Sequence, residues 1–307
     1  MNVLVTGGAG YIGTELLINL TANPEVKKIV IYDNLSRGTH ALFTGPKYKH
    51  HEKLTFIEAE LLDSRKLKKA LEGIDVVYHL AAKVTTPYAN VDAHYFEQVN
   101  HWGTAELVYA VEESDVKHFV YISSIGVYGS SSTKEIDENT EPNPRTFYAI
   151  SKLRGEEHVR RLEGKIKTHI IRCGNVYGYS RAMRFDSVIN KWIFESNFNN
   201  QISIHGNGKQ SRAFLNIDVL CDVFDQLLTK DVPSGTYNLV ERNMTMMDIV
   251  DILKAINPPL EFIFINQHLN LKSISVSTDW KLKEYLEIKP IATFDEEMKA
   301  FSAQFSF

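Results

Sequence analysis

Residues 1–13 read MNVLVTGGAGYIG: an apolar run at 2–6, then Gly7, Gly8, Gly10 and Gly13 packed into seven residues. Glycine inside a regular element is costly, so such a cluster marks a place where the backbone turns through positive φ or is closely approached. The apolar run has strand length, and the residues from Gly13 onward carry helical spacing. A glycine turn between strand and helix offers free N–H groups and the positive end of the helix dipole, which together suit a phosphate. Gly7 then permits the tight turn, Gly10 the approach of a pyrophosphate and Gly13 the close packing of helix on strand. Tyr11 and Ile12 complete the loop. The next apolar run, 28–33, ends in Asp33, placed where a carboxylate can take the ribose hydroxyls. An acid facing the 2′-hydroxyl repels a 2′-phosphate, which favours NAD over NADP; the nearby Arg37 keeps NADP open.

The pattern set by this first unit repeats. Further apolar runs of strand length occupy 54–59, 75–80, 118–123 and 168–172, and amphipathic stretches occupy 13–22, 64–73, 95–114 and 148–164. Near-continuous apolar strands alternating with helices predict a parallel sheet covered on both faces, a doubly wound α/β fold with right-handed crossovers. After about residue 175 the pattern loosens, broken by Gly206, Gly208, Pro233, Pro258, Pro259 and Pro290. The expected division is a dinucleotide-binding domain over 1–174, with 213–240 returning to it. A smaller α/β lobe for substrate then comprises 175–212 and 241–307.

The net charge of −4 provides no basic footprint for nucleic acid and no polybasic membrane patch. Cys173 and Cys221 sit in apolar surroundings, which suits reduced thiols. No basic segment followed by an apolar core precedes residue 3, and no run of 18 apolar residues occurs, so a soluble, cytoplasmic protein is expected. No metal is expected.

Tyr-x-x-x-Lys occurs twice, at Tyr148/Lys152 and Tyr285/Lys289. Tyr148 enters an amphipathic helix behind Pro142 and Pro144, so Tyr148 and Lys152 share a helix face. Tyr285/Lys289 runs straight into Pro290 and reads as surface structure. Hydride transfer at a carbinol carbon needs a proton transfer at its oxygen, and a free phenol with a pKa near 10 is a poor base. An ammonium within about 4–6 Å can lower that value by about 1–3 units. Ser124, just past the fifth strand, can bond the same substrate oxygen, and Lys152 can hold the nicotinamide ribose. Asp63 reads as the N-cap of the following helix.

The ordered set of motifs resembles the extended short-chain dehydrogenases/reductases, the family of nucleotide-sugar epimerases and dehydratases. Thr6-Gly7-Gly8-Ala9-Gly10-Tyr11-Ile12-Gly13 is similar to its TGxxGxxG loop, and Asp33-Asn34-Leu35-Ser36-Arg37-Gly38 to the stretch after the second strand of UDP-galactose 4-epimerase-like members. The likeness continues through His79-Leu80-Ala81-Ala82, Asn100, Gly103-Thr104, Ser123-Ser124, Val127-Tyr128-Gly129 and Tyr148/Lys152. It ends with Arg172, Asn175-Val176-Tyr177-Gly178, Gly206, Gly208, Arg212 and Asp279. It implies a Rossmann-type fold, bound NAD, Ser124, Tyr148 and Lys152 as the catalytic trio, and Asn100 as their structural support. Glu60, beside Leu61, stands where many relatives carry an aspartate that meets the adenine.

At the sugar end the resemblance implies that Asn175, Tyr177 and Arg212 hold the nucleotide diphosphate. A second arginine common in relatives is missing from 270–274, where only Lys272 is available. Lys83 follows the Ala81-Ala82 pair where a neutral residue is commoner, and Val276 is small enough to suggest room for an N-acetylated sugar. The Asp-Glu pair that follows the hydroxyl residue in 4,6-dehydratases is replaced by Ile125 and Gly126. The reading is therefore a homodimeric 4-epimerase of a nucleotide-diphosphate sugar, the alternative being a reductase of a 4-keto sugar or other carbonyl compound.

Overall fold

A computed structural model describes residues 1–38, 40–84, 92–130, 135–268, 271–288 and 292–305. Asn270, Lys289 and Pro290 of the sequence reading lie outside them. The first half is built from β1 (Asn2–Thr6), α1 (Tyr11–Ala22), β2 (Lys28–Asp33), β3 (Leu54–Glu58), α2 (Ser64–Ala70) and β4 (Val76–His79). It continues with α3 (Ala93–Phe96), a π-helical segment Glu97–Trp102, α4 (Gly103–Glu112), β5 (His118–Ser124), α5 (Phe147–Val159) and β6 (Lys167–Cys173). Beyond it come β7 (Asn175–Tyr177), α6 (Val188–Phe198), β8 (Gln201–His205), β9 (Ser211–Asn216), α7 (Ile217–Leu227) and β10 (Gly235–Leu239). The last elements are β11 (Arg242–Thr245), α8 (Met246–Ile256), β12 (Glu261–Ile265) and α9 (Phe294–Ser302).

All six predicted strands form, and they pair in parallel with β10 into one seven-stranded sheet of order β10-β6-β5-β4-β1-β2-β3. Side chains alternate between two cores because successive strand residues point to opposite faces. Val3, Val5, Val120 and Ile122 pack with Leu16, Leu20, Leu220 and Phe224 of α1 and α7. Leu4, Val77, Phe119 and Tyr121 pack with Leu67, Leu107, Val108 and Val159 on the other side. This is the covered sheet that the continuous apolar runs require.

The chain beyond β6 adds a three-stranded sheet, β11-β9-β7, and a two-stranded one, β12-β8. Trp192, Ile193, Ile204, Ile249, Leu253 and Met298 form a separate core for them. Their strands are only three to six residues long, too short to leave a clear periodic signal.

Three histidines are buried inside the sheet layers. His118 Nε2 lies 2.8 Å from His169 Nδ1, and His169 Nε2 faces the carbonyls of Val232 and Pro233. His79 bridges Thr6 Oγ1 and Thr104 Oγ1 at 2.7 and 2.9 Å. Burial holds all three well below the ordinary imidazole value, helped by the charge of Lys167 near the pair and of Lys152 near His79. The folded state binds fewer protons than the unfolded chain below pH 6.5. Stability is therefore fully present above that pH and falls as pH drops, by up to about 1.4 kcal/mol per pH unit for each such histidine. Urea midpoints measured from pH 7.5 to 5 should fall steadily, and a flat profile would contradict the neutral state of these rings.

Candidate active site

A cavity of about 640 Å³ opens where the loops after β1, β2, β3 and β4 meet. Gly7 has φ +70°, and a Cβ on it would stand 2.5 Å from the backbone nitrogen of Ala81. A Cβ on Gly13 would stand 2.5 Å from the Cα of Gly8, so these two positions take the turn and the close packing expected of them. Gly10 is the N-cap of α1, with no side chain capping the helix and no acid in its first turn. The N–H groups of that turn are left for a ligand in the cavity.

Asp33 ends β2 beside the loop. Its Oδ2 accepts from the Ala9 N–H at 3.0 Å and its Oδ1 from the Leu35 N–H at 2.8 Å. Burial raises its pKa. One carboxylate thus ties the glycine loop to the second strand and still lines the cavity, with lone pairs free for ribose hydroxyls. Ile12, Leu61, Leu80, Ala81 and Ala82 give the cavity an apolar wall. Asn34 Nδ2 donates to both oxygens of Glu60 at 3.0 and 2.9 Å, making a paired polar rim. Asp63 caps α2 by accepting from the Lys66 N–H. A dipole end open to an anion, an acid for ribose and an apolar slot fit a dinucleotide.

Two residues singled out in the sequence have partners of their own here. The buried Tyr11 hydroxyl donates to the Gly178 carbonyl at 2.8 Å. Its side chain fastens α1 to the segment after β7. Arg37 pairs with Asp186 at 3.6 Å, and Asp186 accepts from Arg184 Nε at 2.8 Å. Arg184 and Asp186 line the cavity and went unnoticed in the sequence, where no motif marks them and about 150 residues separate them from the loop they face.

Ser124 ends β5, and Tyr148 and Lys152 lie one turn apart on α5, whose N-cap Thr146 accepts from the Ala149 N–H. Asn100 is fully buried in the π-helical segment, a form that often marks functional positions. Its Oδ1 accepts from the Lys83 N–H at 2.8 Å, and its Nδ2 donates to the Lys83 carbonyl at 2.9 Å and to Ser151 Oγ at 3.0 Å. Asn100 therefore locks the loop after β4, a cavity wall, onto the helix carrying Tyr148 and Lys152.

Burial raises the pKa of Tyr148, and what draws it back is the charge of Arg184 together with a hydrogen bond to Ser124. Lys152 is itself buried, and its ammonium stands 4.0 Å from the centre of the Tyr121 ring. Burial pushes its pKa down to about 7 against the opposing pull of Glu156. A helical turn puts phenol and amine on one face but does not decide where the long lysine stem ends.

At the proposed sugar end, Arg212 is half-buried, donating through Nη1 to the carbonyls of Ser211 and Lys272 at 2.9 and 2.6 Å. No carboxylate pairs with it among the described residues, and burial alone depresses its pKa. Asn175 is exposed and donates to the Ala213 carbonyl at 3.0 Å. Lys83 lines the cofactor cavity, its Nζ 4.8 Å from the centre of the Tyr95 ring. Tyr177 and Val276 are not available to a ligand. Tyr177 is buried against Phe214 and Phe294 and donates to Glu297. Val276 is fully buried in a small core with Ile125, Val127 and Ile136, pinned by a bridge to Ile136 and by the Asn243 side-chain amide, whose Nδ2 donates to the Val276 carbonyl and whose Oδ1 accepts from its N–H. Its size therefore says nothing about the sugar. Among the described residues no group of three or more His, Cys, Asp or Glu could hold a metal, and no helix is long and apolar enough to cross a membrane.

The sequence profile of the NAD dependent epimerase/dehydratase family matches residues 3–239. The chain belongs to this family. Among its curated members, dTDP-D-glucose 4,6-dehydratase of Mus musculus is 32% identical over 268 residues, covering 84% of this chain and 75% of the mouse protein. UDP-glucuronic acid 4-epimerase from Bacillus cereus, solved with UDP-glucuronic acid and NAD, superposes with a TM-score of 0.83 at 26% identity, over 99% of this chain and 98% of that one. UDP-N-acetylglucosamine 4-epimerase from Methanobrevibacter ruminantium, solved with UDP-N-acetylmuramic acid, gives 0.86 at 25% identity over 98% and 97%. The family's cofactor is NAD, the dinucleotide favoured by Asp33.

Proposed function

We propose that this family member is a 4-epimerase of a nucleotide-diphosphate sugar. The observation that carries the reading is the surroundings of Ser124. Elimination in a dehydratase needs an acid and a base beside the hydroxyl residue, and those places hold Ile125, buried in an apolar core, and Gly126, whose N–H donates to Ser124 Oγ at 3.1 Å. What remains is chemistry at one carbinol carbon. Tyr148 as phenolate takes the proton of the sugar's C4 hydroxyl, and Ser124 holds the same oxygen. Bound NAD supplies the acceptor and donor of the C4 hydride. Tyr148 returns the proton once the 4-keto sugar has presented its other face, so there is no net redox change. Lys152 would hold the nicotinamide ribose, and Arg212 with Asn175 would take the diphosphate at the smaller lobe. The guanidinium suits that task because it is half-buried and meets no carboxylate among the described residues.

Trp102 and Tyr109 are 53% and 38% exposed on the α4 side of the helical layer, which supports pairing of two copies through that face. The reading is tested by incubating the protein with UDP-glucose, UDP-glucuronic acid and UDP-N-acetylglucosamine and resolving the products. A C4 epimer formed without NADH consumption is the expected result. A 4-keto-6-deoxy product would make it a dehydratase despite Ile125 and Gly126, and stoichiometric NADH use would make it a reductase.

A further inference from the structure

The chain between β7 and α6, residues 178–187, crosses back over the dinucleotide half, and its first part is fastened to α1. Besides the Tyr11 bond to Gly178, Ser180 Oγ donates to the Tyr11 carbonyl at 2.9 Å and meets Thr14 Oγ1 at 3.0 Å. The Arg181 N–H donates to Glu15 Oε1 at 3.2 Å. The Arg181 guanidinium donates to the Pro46 carbonyl at 3.0 Å and lies 4.1 Å from the centre of the Tyr48 ring. Asn190, fully buried, accepts from the Gly178 N–H at 3.1 Å and donates to the Arg184 carbonyl at 3.2 Å, fixing the stretch between them. From there the segment reaches the cofactor cavity, which Arg184 and Asp186 line.

The loop after β2 lines the same cavity with Leu35, Ser36 and Arg37. It is shaped from within. Asp33 Oδ1 accepts from the Leu35 N–H, Asn34 Oδ1 accepts from the Ser36 N–H at 3.0 Å, and the Gly38 N–H donates to the Leu35 carbonyl at 2.9 Å. These two segments, far apart in the chain, meet at one carboxylate. Asp186 Oδ1 stands 2.8 Å from Arg184 Nε and 3.6 Å from Arg37 Nη2, the Asp186 and Arg37 side chains being 22% and 41% exposed. Burial pushes the Asp186 carboxyl up, but the charges of Arg184 and Arg37 outweigh it and hold the group below the ordinary carboxylate range, so it stays ionised. Each segment is held by hydrogen bonds on its own side, so the partly exposed ion pair is the joint that gives first. We propose that Arg37 and Asp186 form a latch across the cofactor cavity, which must part for the dinucleotide to enter or leave. It acts on the family's cofactor and stands whichever reaction the site performs. Removing a latch lowers one barrier that is crossed in both directions, so release and capture quicken together and affinity barely moves. Losing a side chain that grips the cofactor directly shows in release alone.

The test is stopped-flow measurement of NADH capture by the full chain, and of its release into excess NAD, followed by nicotinamide fluorescence. Arg37→Gln is expected to quicken both rates by about three- to fivefold, the reach of one exposed pair, while Kd stays within about twofold of wild type. Asp186→Asn should do the same. The double variant should be no faster than the faster single one, because both changes break one contact. Arg37→Lys keeps the charge and should stay near the wild-type rates. Raising salt should quicken release from the wild type more than from Arg37→Gln, since only the wild type has this pair to screen. Melting temperatures check that the variants are folded. Rates within about 1.5-fold of wild type in both single variants, the behaviour of a surface pair worth nothing, would overturn the latch. Faster release with unchanged capture would overturn it too, and would make the altered side chain a direct contact of the cofactor.

Discussion

Tyr148→Phe is expected to lower turnover of the preferred nucleotide sugar by about 10²–10⁴-fold, the usual contribution of a positioned acid–base group. The loss should fall on kcat while bound NAD and melting temperature stay near wild type. Only one oxygen is removed, and the ring keeps its edge contact with Phe96 at 6.2 Å. The same substitution reports on electrostatics. In this structure the charge favouring the phenolate is that of Arg184, while Lys152 sits over Tyr121. Activity within tenfold of wild type in Tyr148→Phe would show that the proton moves elsewhere and would remove the central residue from the mechanism.

The largest effect on stability should come from Glu156→Gln. Glu156 is fully buried, and its carboxylate accepts from Arg172 Nε and Nη2 at 3.0 and 2.7 Å, from Ser123 Oγ at 2.6 Å and from Arg160 Nη2 at 2.9 Å. Arg172 Nη1 also donates to the Tyr128 hydroxyl, which donates to Asn238 at 2.8 Å. The network joins α5 to β5, β6 and β10 behind the catalytic residues. Neutralising Glu156 leaves the Arg172 guanidinium buried without its counter-charge, at a cost of about 3–5 kcal/mol. A drop in melting temperature on the order of 10 °C follows for a chain of this size. Replacing both partners with apolar residues, Glu156→Leu with Arg172→Met, should be no worse than Glu156→Gln, because no unpaired charge remains. A melting temperature for Glu156→Gln within about 2 °C of wild type, roughly the size of a surface effect, would show that the network does not carry the load assigned to it.

The sequence was informative where a signal is local and repeated. The strands at 2–6 and 28–33, the glycine turn between them and the cap at Asp63 each depend on neighbours in the chain, so pattern and turn chemistry predict them. Val276 and Tyr177 were misread because motif position cannot tell a side chain facing a ligand from one facing a core. A bridge to Ile136 and a bond to Glu297, both far along the chain, turn these residues inward. Arg184 and Asp186 left no trace for the same reason.

The sequence by itself determined the doubly wound sheet, the glycine turn after β1 and the acid that ends β2, since each follows from periodicity, glycine conformation or fixed spacing between adjacent elements. Only the tertiary structure decided which charged groups surround Tyr148, that Arg212 meets backbone carbonyls and which two histidines meet. Those outcomes depend on long side chains brought together from distant segments, and the direction such a side chain takes is set by packing.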